Sequence, residues 1–149
     1  MSWENLPEIL HRDSLFSELV VDLLLKGTSV RFRALGRSMY PTIREGDVLT
    51  VAPIAPNLVH RGDILLYRLE GGVVAHRLDR IDRGHADRSY YTFRSDTWGS
   101  WDEPVLAEQI LGKVVSVARS GRSIPVYGGK MKARLLAHGV ASRLRRWTH

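Results

Sequence analysis

The chain has 149 residues, which suits one folded domain with its own core and is short for two. Hydrophobic residues make up 44% of it and charged residues 26%, as is ordinary for a folded soluble protein. The absence of cysteine excludes disulfide bonds, thiol catalysis and cysteine-ligated metals, and the sequence predicts neither a metal nor a cofactor.

Positive charge is concentrated towards the C-terminus. All 16 acidic residues lie at or before Glu108, whereas nine of the 22 lysines and arginines follow it, so the net charge of +6 is a property of the tail. A basic tail can meet nucleic acid, an anionic membrane or an acidic partner, and charge alone does not choose among them.

The sequence carries no signal for membrane insertion. No run of 18 or more uncharged apolar residues predicts a transmembrane helix. The first residues include Glu4, Glu8 and Asp13 and lack a basic region before an apolar one, so no signal peptide is predicted. We therefore expect a cytoplasmic or peripheral membrane protein.

An N-terminal arm, residues 1–12, precedes a predicted helix that starts at Asp13 or Ser14, reaches about Lys26 and ends at Gly27. Packing of this helix on the core of its own domain is favoured over binding to a membrane surface, because two acids interrupt its apolar side. The residues predicted to share that side are Leu15, Phe16, Leu19, Val20, Leu23 and Leu24.

From Ser29 the hydrophobic period shortens to two, which is typical of half-buried strands. Gly71 and Gly72 predict a hairpin turn in the middle of this region. Short strands separated by turns at this spacing predict a mainly β domain, either a barrel or a folded ribbon. The predicted strands are 30–34, 48–52, 64–67, 73–81, 90–93 and 111–117, with 105–110 crossing back before the last.

After Ser120 the pattern changes, and residues 130–147 predict a basic amphipathic helix. Such a helix can lie in a membrane interface or dock on its own domain, and the sequence favours neither. The predicted division is therefore an arm and helix at 1–28, a β domain at 29–120 and a basic helical tail at 121–149. The apolar stripe of the tail helix comprises Leu136, Val140, Leu144 and Trp147.

The stretch from Gly36 to Asp47 places Ser38 on a tight corner. Pro41 fixes its own φ angle and restricts Tyr40, and a Gly-Asp turn follows before the next strand. A serine held in this way is a candidate nucleophile, although an ordinary strand-turn-strand connection uses the same residue types.

A serine hydroxyl needs a base to take its proton, and histidine, with an ordinary pKa of about 6.5, suits that task. Of the six histidines, only His76 interrupts an apolar strand, where a polar group must be satisfied or used. The others lie in terminal or helical segments, a turn or a charged loop; they are His11, His60, His85, His138 and His149.

These motifs resemble the signal peptidase I superfamily of serine proteases, which includes membrane-bound signal peptidases and, more distantly, LexA-type self-cleaving repressors. Residues 36–42 resemble its nucleophile box. Residues 62–67 and 73–78 are similar to the paired boxes of the endoplasmic-reticulum and archaeal type, which uses histidine as general base. The bacterial type and the LexA-type repressors use lysine there, but this chain has no lysine between Lys26 and Lys113.

The resemblance extends to a third box, in which Asp96 and Asp102 match the two aspartates of the family. It implies that one carboxylate orients His76 and that the other holds the loop, with Asp102 favoured as the orienting residue. Both could also be ordinary loop aspartates. Because Arg37 supplies no hydroxyl, the main-chain N–H of Ser38 is the implied oxyanion donor.

The resemblance implies a serine endopeptidase that needs no cofactor, with Ser38, His76, Asp96 and Asp102 at its site. Its substrate would be an extended peptide strand with small residues before the cut. The alternative is a non-catalytic or self-cleaving LexA-like regulatory module, but only about 28 residues precede the first strand, too few for a helix-turn-helix domain. Nucleic acid is not favoured as a partner, because the tail lacks interleaved aromatic residues. Peripheral contact with an anionic membrane through the tail is the other partner interaction that the sequence leaves open.

Overall fold

The computed structural model describes residues 14–97 and 102–127, which contain one α-helix and eight strands. The mainly β class predicted from the sequence is confirmed. The helix is α1 (Ser14–Leu25), and the strands are β1 (Val30–Arg33), β2 (Val48–Pro53), β3 (Ile64–Leu69), β4 (Gly72–Arg83), β5 (Ser89–Arg94), β6 (Val105–Leu106), β7 (Ile110–Arg119) and β8 (Arg122–Ile124).

All eight strands form one antiparallel sheet in the order β1-β2-β7-β3-β4-β5-β6, with β8 paired to β7. The predicted hairpin at Gly71 joins β3 to β4, the longest strand of this sheet. In its register Leu65 lies opposite His76, and Tyr67 lies opposite Val74. Because side chains alternate along a strand, Tyr67 and His76 share a face as diagonal neighbours.

Two hydrophobic cores cover the two faces of this sheet. Neighbouring residues of β4 enter different cores, as Val74 and Ala75 do, so the alternation of this buried strand divides the two. The first core includes Val20, Leu24, Phe32, Leu49, Ala75 and Val117, and the second includes Leu65, Tyr67, Val74, Leu78, Phe93 and Val105.

Helix α1 packs on the first core and ends as predicted. Gly27 adopts a φ of 86°, and the N–H of Thr28 donates to the carbonyl of Leu23 at 2.9 Å, a Schellman ending. The predicted buried face was wrong in part, because Leu15 and Leu19 are 75% and 55% exposed. This helix is apolar on nearly every side, so spacing alone could not select the face that packs. The buried residues are Ser17, Val20, Val21 and Leu24.

Strand β8 was not predicted from the sequence. Ser120 and Gly121, with φ angles of 52° and 75°, reverse the chain so that Arg122–Ile124 pairs with the end of β7. A strand of three residues, two exposed and polar and one half-buried, gives too short a pattern to identify. Beyond β8, the buried Tyr127 accepts a hydrogen bond from the N–H of Ile64 at 3.1 Å, which ties this segment to the sheet.

The predicted arm 1–12 and tail helix 130–147 lie outside the described residues, and the division into three segments stays a prediction. Within residues 14–97 and 102–127, no helix has the length and apolar character needed to cross a membrane.

A buried ion pair joins the start of β3 to β7. Lys113 Nζ lies 3.0 Å from Asp63 Oδ1, and the two side chains are 3% and 0% exposed. The other carboxylate oxygen of Asp63 accepts the N–H of His60 at 2.8 Å, and the ammonium group lies 5.3 Å from the ring centroid of Tyr127. The pair therefore has partners on both sides, and removal of one member leaves an uncompensated charge in the core.

We expect Asp63→Asn to lower the free energy of unfolding by about 3–5 kcal/mol, because Lys113 then stays buried without its counter-ion. Adding Lys113→Met should recover much of that loss, since the cation is removed and the amide that replaces the carboxylate still offers an acceptor to the N–H of His60. Urea unfolding of the two single variants and the double variant measures this coupling. Additive losses, or a single variant within about 1 kcal/mol of the wild type, would contradict it.

Candidate active site

The corner that carries Ser38 is closed by main-chain hydrogen bonds. At the base of the β1–β2 connection, Ala34 N–H donates to the Asp47 carbonyl at 2.8 Å, and Gly46 N–H donates to the Ala34 carbonyl at 2.9 Å. Ser38 is 9% exposed, and its carbonyl accepts the N–H of Thr97 at 3.1 Å. The serine backbone is therefore held on two sides.

Asp47 anchors the base of the same connection to β7. Its carboxylate accepts two hydrogen bonds from the Arg119 guanidinium, at 2.9 and 2.8 Å, and another from the N–H of Arg44 at 2.8 Å. Burial favours a higher pKa for Asp47, but the hydrogen bonds and charge of Arg119 outweigh it, and the pKa is lowered. Asp47 is therefore ionised and structural, a role that the sequence did not reveal.

Asp96 links the serine corner to β4. Arg77, next to His76, donates through Nε at 2.9 Å and through Nη2 at 2.8 Å to the two oxygens of this carboxylate. Thr42, in the serine corner, donates its hydroxyl to Asp96 Oδ2 at 2.7 Å. Asp96 thus braces the corner against β4 and makes no hydrogen bond to His76.

The pKa of Asp96 is lowered. Burial alone would raise it, but hydrogen bonds from Arg77 and Thr42 and the nearby arginine charges have the larger combined effect. A folded-state pKa below the unfolded value of about 3.9 contributes stability that is complete above that value and is lost as pH falls through the folded pKa.

Asp96→Asn should therefore lower the free energy of unfolding by about 1.5–3 kcal/mol near neutral pH, the size of hydrogen bonds to a charged group. The gap from the wild type should narrow below about pH 4, where the wild-type carboxylate begins to be protonated. Urea unfolding between pH 3 and 7 measures it. Asp82→Asn, which breaks the exposed pair with Arg80, is the control and should cost under about 1 kcal/mol. A gap that is constant across this range would contradict the assignment.

His76 and Asp102 are brought into direct contact. His76 is 2% exposed on β4, and its Nδ1 is hydrogen-bonded to Asp102 Oδ2. Tyr67 completes the group, because its hydroxyl donates to the same carboxylate oxygen at 2.5 Å and lies 3.2 Å from His76 Nδ1. Tyr67 was not predicted from the sequence as a residue of the site. The register could have found it, since Tyr67 and His76 are diagonal neighbours on one face.

The charge state of this group follows from its contacts. Burial alone would raise the pKa of Asp102, but the hydrogen bond and charge of His76 and the hydrogen bond from Tyr67 bring it below its usual value. Burial, together with the charge of Asp102, raises the pKa of Tyr67. Near neutral pH the group therefore contains an ionised carboxylate and a protonated phenol.

The second imidazole nitrogen, His76 Nε2, is buried and has no hydrogen-bond partner among the described residues. No hydrogen bond joins it to Ser38 among the described residues. The two lysines of the described part of the chain are engaged elsewhere, Lys26 with Asp22 on α1 and Lys113 with Asp63. Neither lysine is therefore free to act as a general base.

A small apolar cavity lies beside Ser38. Its volume is about 10 Å³, room for roughly one water molecule or methyl group. A larger depression of about 450 Å³ lies between α1 and the β3–β4 turn, and neither Ser38 nor His76 lines it. Within residues 14–97 and 102–127, no cluster of side chains is suited to hold a metal ion. The small cavity is lined by Ala34, Leu35, Met39, Ile43, Leu49 and Ala75 with Gly36 and Ser38.

The domain is mainly β, with Ser38 on a braced corner and a histidine–aspartate pair formed by His76 of β4 and Asp102. The chain belongs to the Peptidase S24-like family, whose model matches residues 16–95. This family contains serine peptidases and LexA-like self-cleaving regulators, and some of its members are inactive. The match includes Ser38 and His76 and ends one residue before Asp96. No curated protein matches the chain.

Proposed function

We propose that this protein is a signal peptidase-like serine endopeptidase that works through Ser38 and His76, with Asp102 as the orienting carboxylate and Asp96 as a brace. The observation that carries the proposal is the burial of His76 and the hydrogen bonding of its two ring nitrogens. This imidazole is buried, has Nδ1 on a carboxylate and leaves Nε2 without a partner in the described residues. A purely structural histidine at this depth would be expected to have both nitrogens satisfied.

The reaction follows from these roles. Ser38 Oγ attacks the scissile carbonyl while His76 Nε2 takes its proton, and Asp102 stabilises the imidazolium that forms. The Ser38 main-chain N–H is directed to the oxyanion. His76 then protonates the leaving amine, which departs and leaves an acyl-enzyme. Water, deprotonated by His76, hydrolyses this ester and restores the serine.

The substrate is an extended peptide with a small side chain before the cut. The cavity beside Ser38 supports this preference, because about 10 Å³ accommodates a methyl group and excludes larger side chains. Strand β1 ends the strand order and runs into the serine corner, and we place the extended peptide beside that corner.

Active-site labelling tests this function. A fluorophosphonate should add to Ser38 in the intact protein, and peptides with alanine before the scissile bond should be cleaved faster than those with leucine or phenylalanine there. Mass spectrometry of the protein incubated alone separates the self-cleaving alternative, which predicts a cut within its own chain and no cleavage of added peptides. Absence of both labelling and peptide cleavage would overturn the proposal.

Contact of the basic tail with an anionic membrane is a further part of this proposal. It rests on the positive charge and the apolar stripe of residues 130–147, which lie outside the described residues. It would bring the site close to peptides that emerge at a membrane surface.

A further inference from the structure

Tyr67 lies at the centre of the candidate site although its side chain is fully buried. Its ring stacks on Phe93 with centroids 4.1 Å apart and an interplanar angle of 20°. The main-chain carbonyl of Phe93 also accepts the N–H of Asp102 at 2.9 Å. The strands β3 and β5 therefore hold Asp102 by its backbone through Phe93 and by its carboxylate through the hydroxyl of Tyr67.

The donors and acceptors of Tyr67, Asp102 and His76 determine which atoms carry the protons. An ionised carboxylate only accepts, so the single hydroxyl proton of Tyr67 is committed to Asp102 at 2.5 Å. Towards His76 Nδ1, 3.2 Å away, the phenol oxygen can then only accept. Both neighbours of Nδ1 are thus acceptors, which requires the proton of neutral His76 to reside on Nδ1. The lone pair consequently lies on Nε2, the nitrogen that a general base uses.

We propose that Tyr67 is a positioning residue of the peptidase site: its hydroxyl holds the Asp102 carboxylate and fixes His76 in the Nδ1–H tautomer. The effect of Tyr67 on catalysis rests on the proposed function. Asp102 lies in a segment with no regular secondary structure before β6, so its own backbone does not determine the direction of its carboxylate. The tyrosine ring, stacked on Phe93 within the second core, supplies a rigid reference for that direction.

A tyrosine that merely fills the core predicts different behaviour. Loss of its hydroxyl would then lower the melting temperature and leave the protonation of His76 unchanged. Among the described residues, the titratable groups within hydrogen-bond distance of this hydroxyl are His76 and Asp102. If removal of the hydroxyl changes the titration of the site, the effect must therefore be transmitted through His76 or Asp102.

The test is Tyr67→Phe in the full chain, with Tyr91→Phe as the matched control. Tyr91 is a buried tyrosine of the same core and makes no hydrogen bond to His76 or Asp102. For Tyr67→Phe we expect kcat to fall about tenfold, the size of one hydrogen bond to a charged group, with KM within about twofold. Without the phenol proton Asp102 becomes more basic, so the midpoint of the acid limb of kcat/KM should move to higher pH. Tyr91→Phe should change neither quantity.

A second readout does not depend on activity. In histidine-¹⁵N-labelled protein, NMR should identify neutral His76 as the Nδ1–H tautomer, and Tyr67→Phe should increase the Nε2–H share. Incorporation of 3-fluorotyrosine at position 67 keeps the ring and strengthens the donor, so it should move the acid limb to lower pH, opposite to Tyr67→Phe.

Unchanged kcat, acid limb and His76 spectrum in folded Tyr67→Phe would overturn the proposal, as would an Nε2–H tautomer in the wild type. If the wild type cleaves no peptide but its His76 spectrum responds to Tyr67→Phe as expected, the proposed function fails and the placement of the proton by Tyr67 stands. If the wild type is active and the spectrum does not respond, the peptidase assignment stands and Tyr67 only fills the core.

Discussion

Ser38→Ala is expected to lower kcat/KM for peptide cleavage by at least about 10³-fold, because no other group can form the acyl-enzyme. The fold should be retained. The main-chain carbonyl of Ser38 still accepts the N–H of Thr97, and no hydrogen bond to the Ser38 hydroxyl is seen in the described residues. The loss should lie in kcat, since alanine leaves the apolar cavity and its binding of the substrate side chain intact. Single-turnover assays with a fluorogenic peptide measure it.

Ser29→Ala is the matched control for this variant. Ser29 is 8% exposed, close to the 9% of Ser38, and lies before β1 rather than on the corner. It should keep activity within about twofold of the wild type, as expected for a substitution that touches no catalytic group. Retained turnover in a folded Ser38→Ala protein would remove Ser38 from the mechanism.

Asp102→Asn should have the second largest effect, a fall in kcat of roughly 10³–10⁴-fold, since the same change at the orienting aspartate of the chymotrypsin-type triad costs about 10⁴. The asparagine amide can donate to His76 Nδ1, which places the imidazole proton on Nε2 and removes the lone pair that accepts the serine proton. The charge that stabilises the imidazolium is lost at the same time. Steady-state kinetics across the pH range measures both effects.

Asp79→Asn is the charge-matched control. Asp79 also lies on β4 and pairs with Arg61 and Arg94, at 3.7 and 4.0 Å, away from His76 Nδ1. It should alter kcat by less than about threefold.

Asp96→Asn should lower activity less than Asp102→Asn, because Asp96 braces the corner and does not touch the imidazole. The reverse order of the two effects would exchange their roles.

The local features of this protein could be predicted from its sequence because each depends on a few neighbouring residues. Alternating apolar residues identified β1, an apolar run identified β3, and the glycine turn at Gly71 predicted the hairpin into β4. Glycine and proline around Ser38 indicated a defined corner, and a histidine within an apolar strand singled out His76. These signals reside in backbone preference and side-chain period, which act over a few residues.

The arrangement of the site was decided by tertiary structure. Asp102 is 26 residues from His76, and Asp96 is 54 residues from Thr42, so only the pairing of distant strands determines which carboxylate meets which partner. In the sequence Tyr67 is one more apolar strand residue; its hydroxyl gains a role only when β3 and β4 place it diagonal to His76. The buried side of α1 was likewise chosen by the sheet, because a helix that is apolar on nearly every side packs by the face that its neighbours complement. The sequence by itself thus determined most of the strands, the serine corner and the choice of histidine. Long-range packing determined the short strand β8 and the hydrogen bonds around His76, since contacts between distant side chains depend on positions that no local pattern encodes.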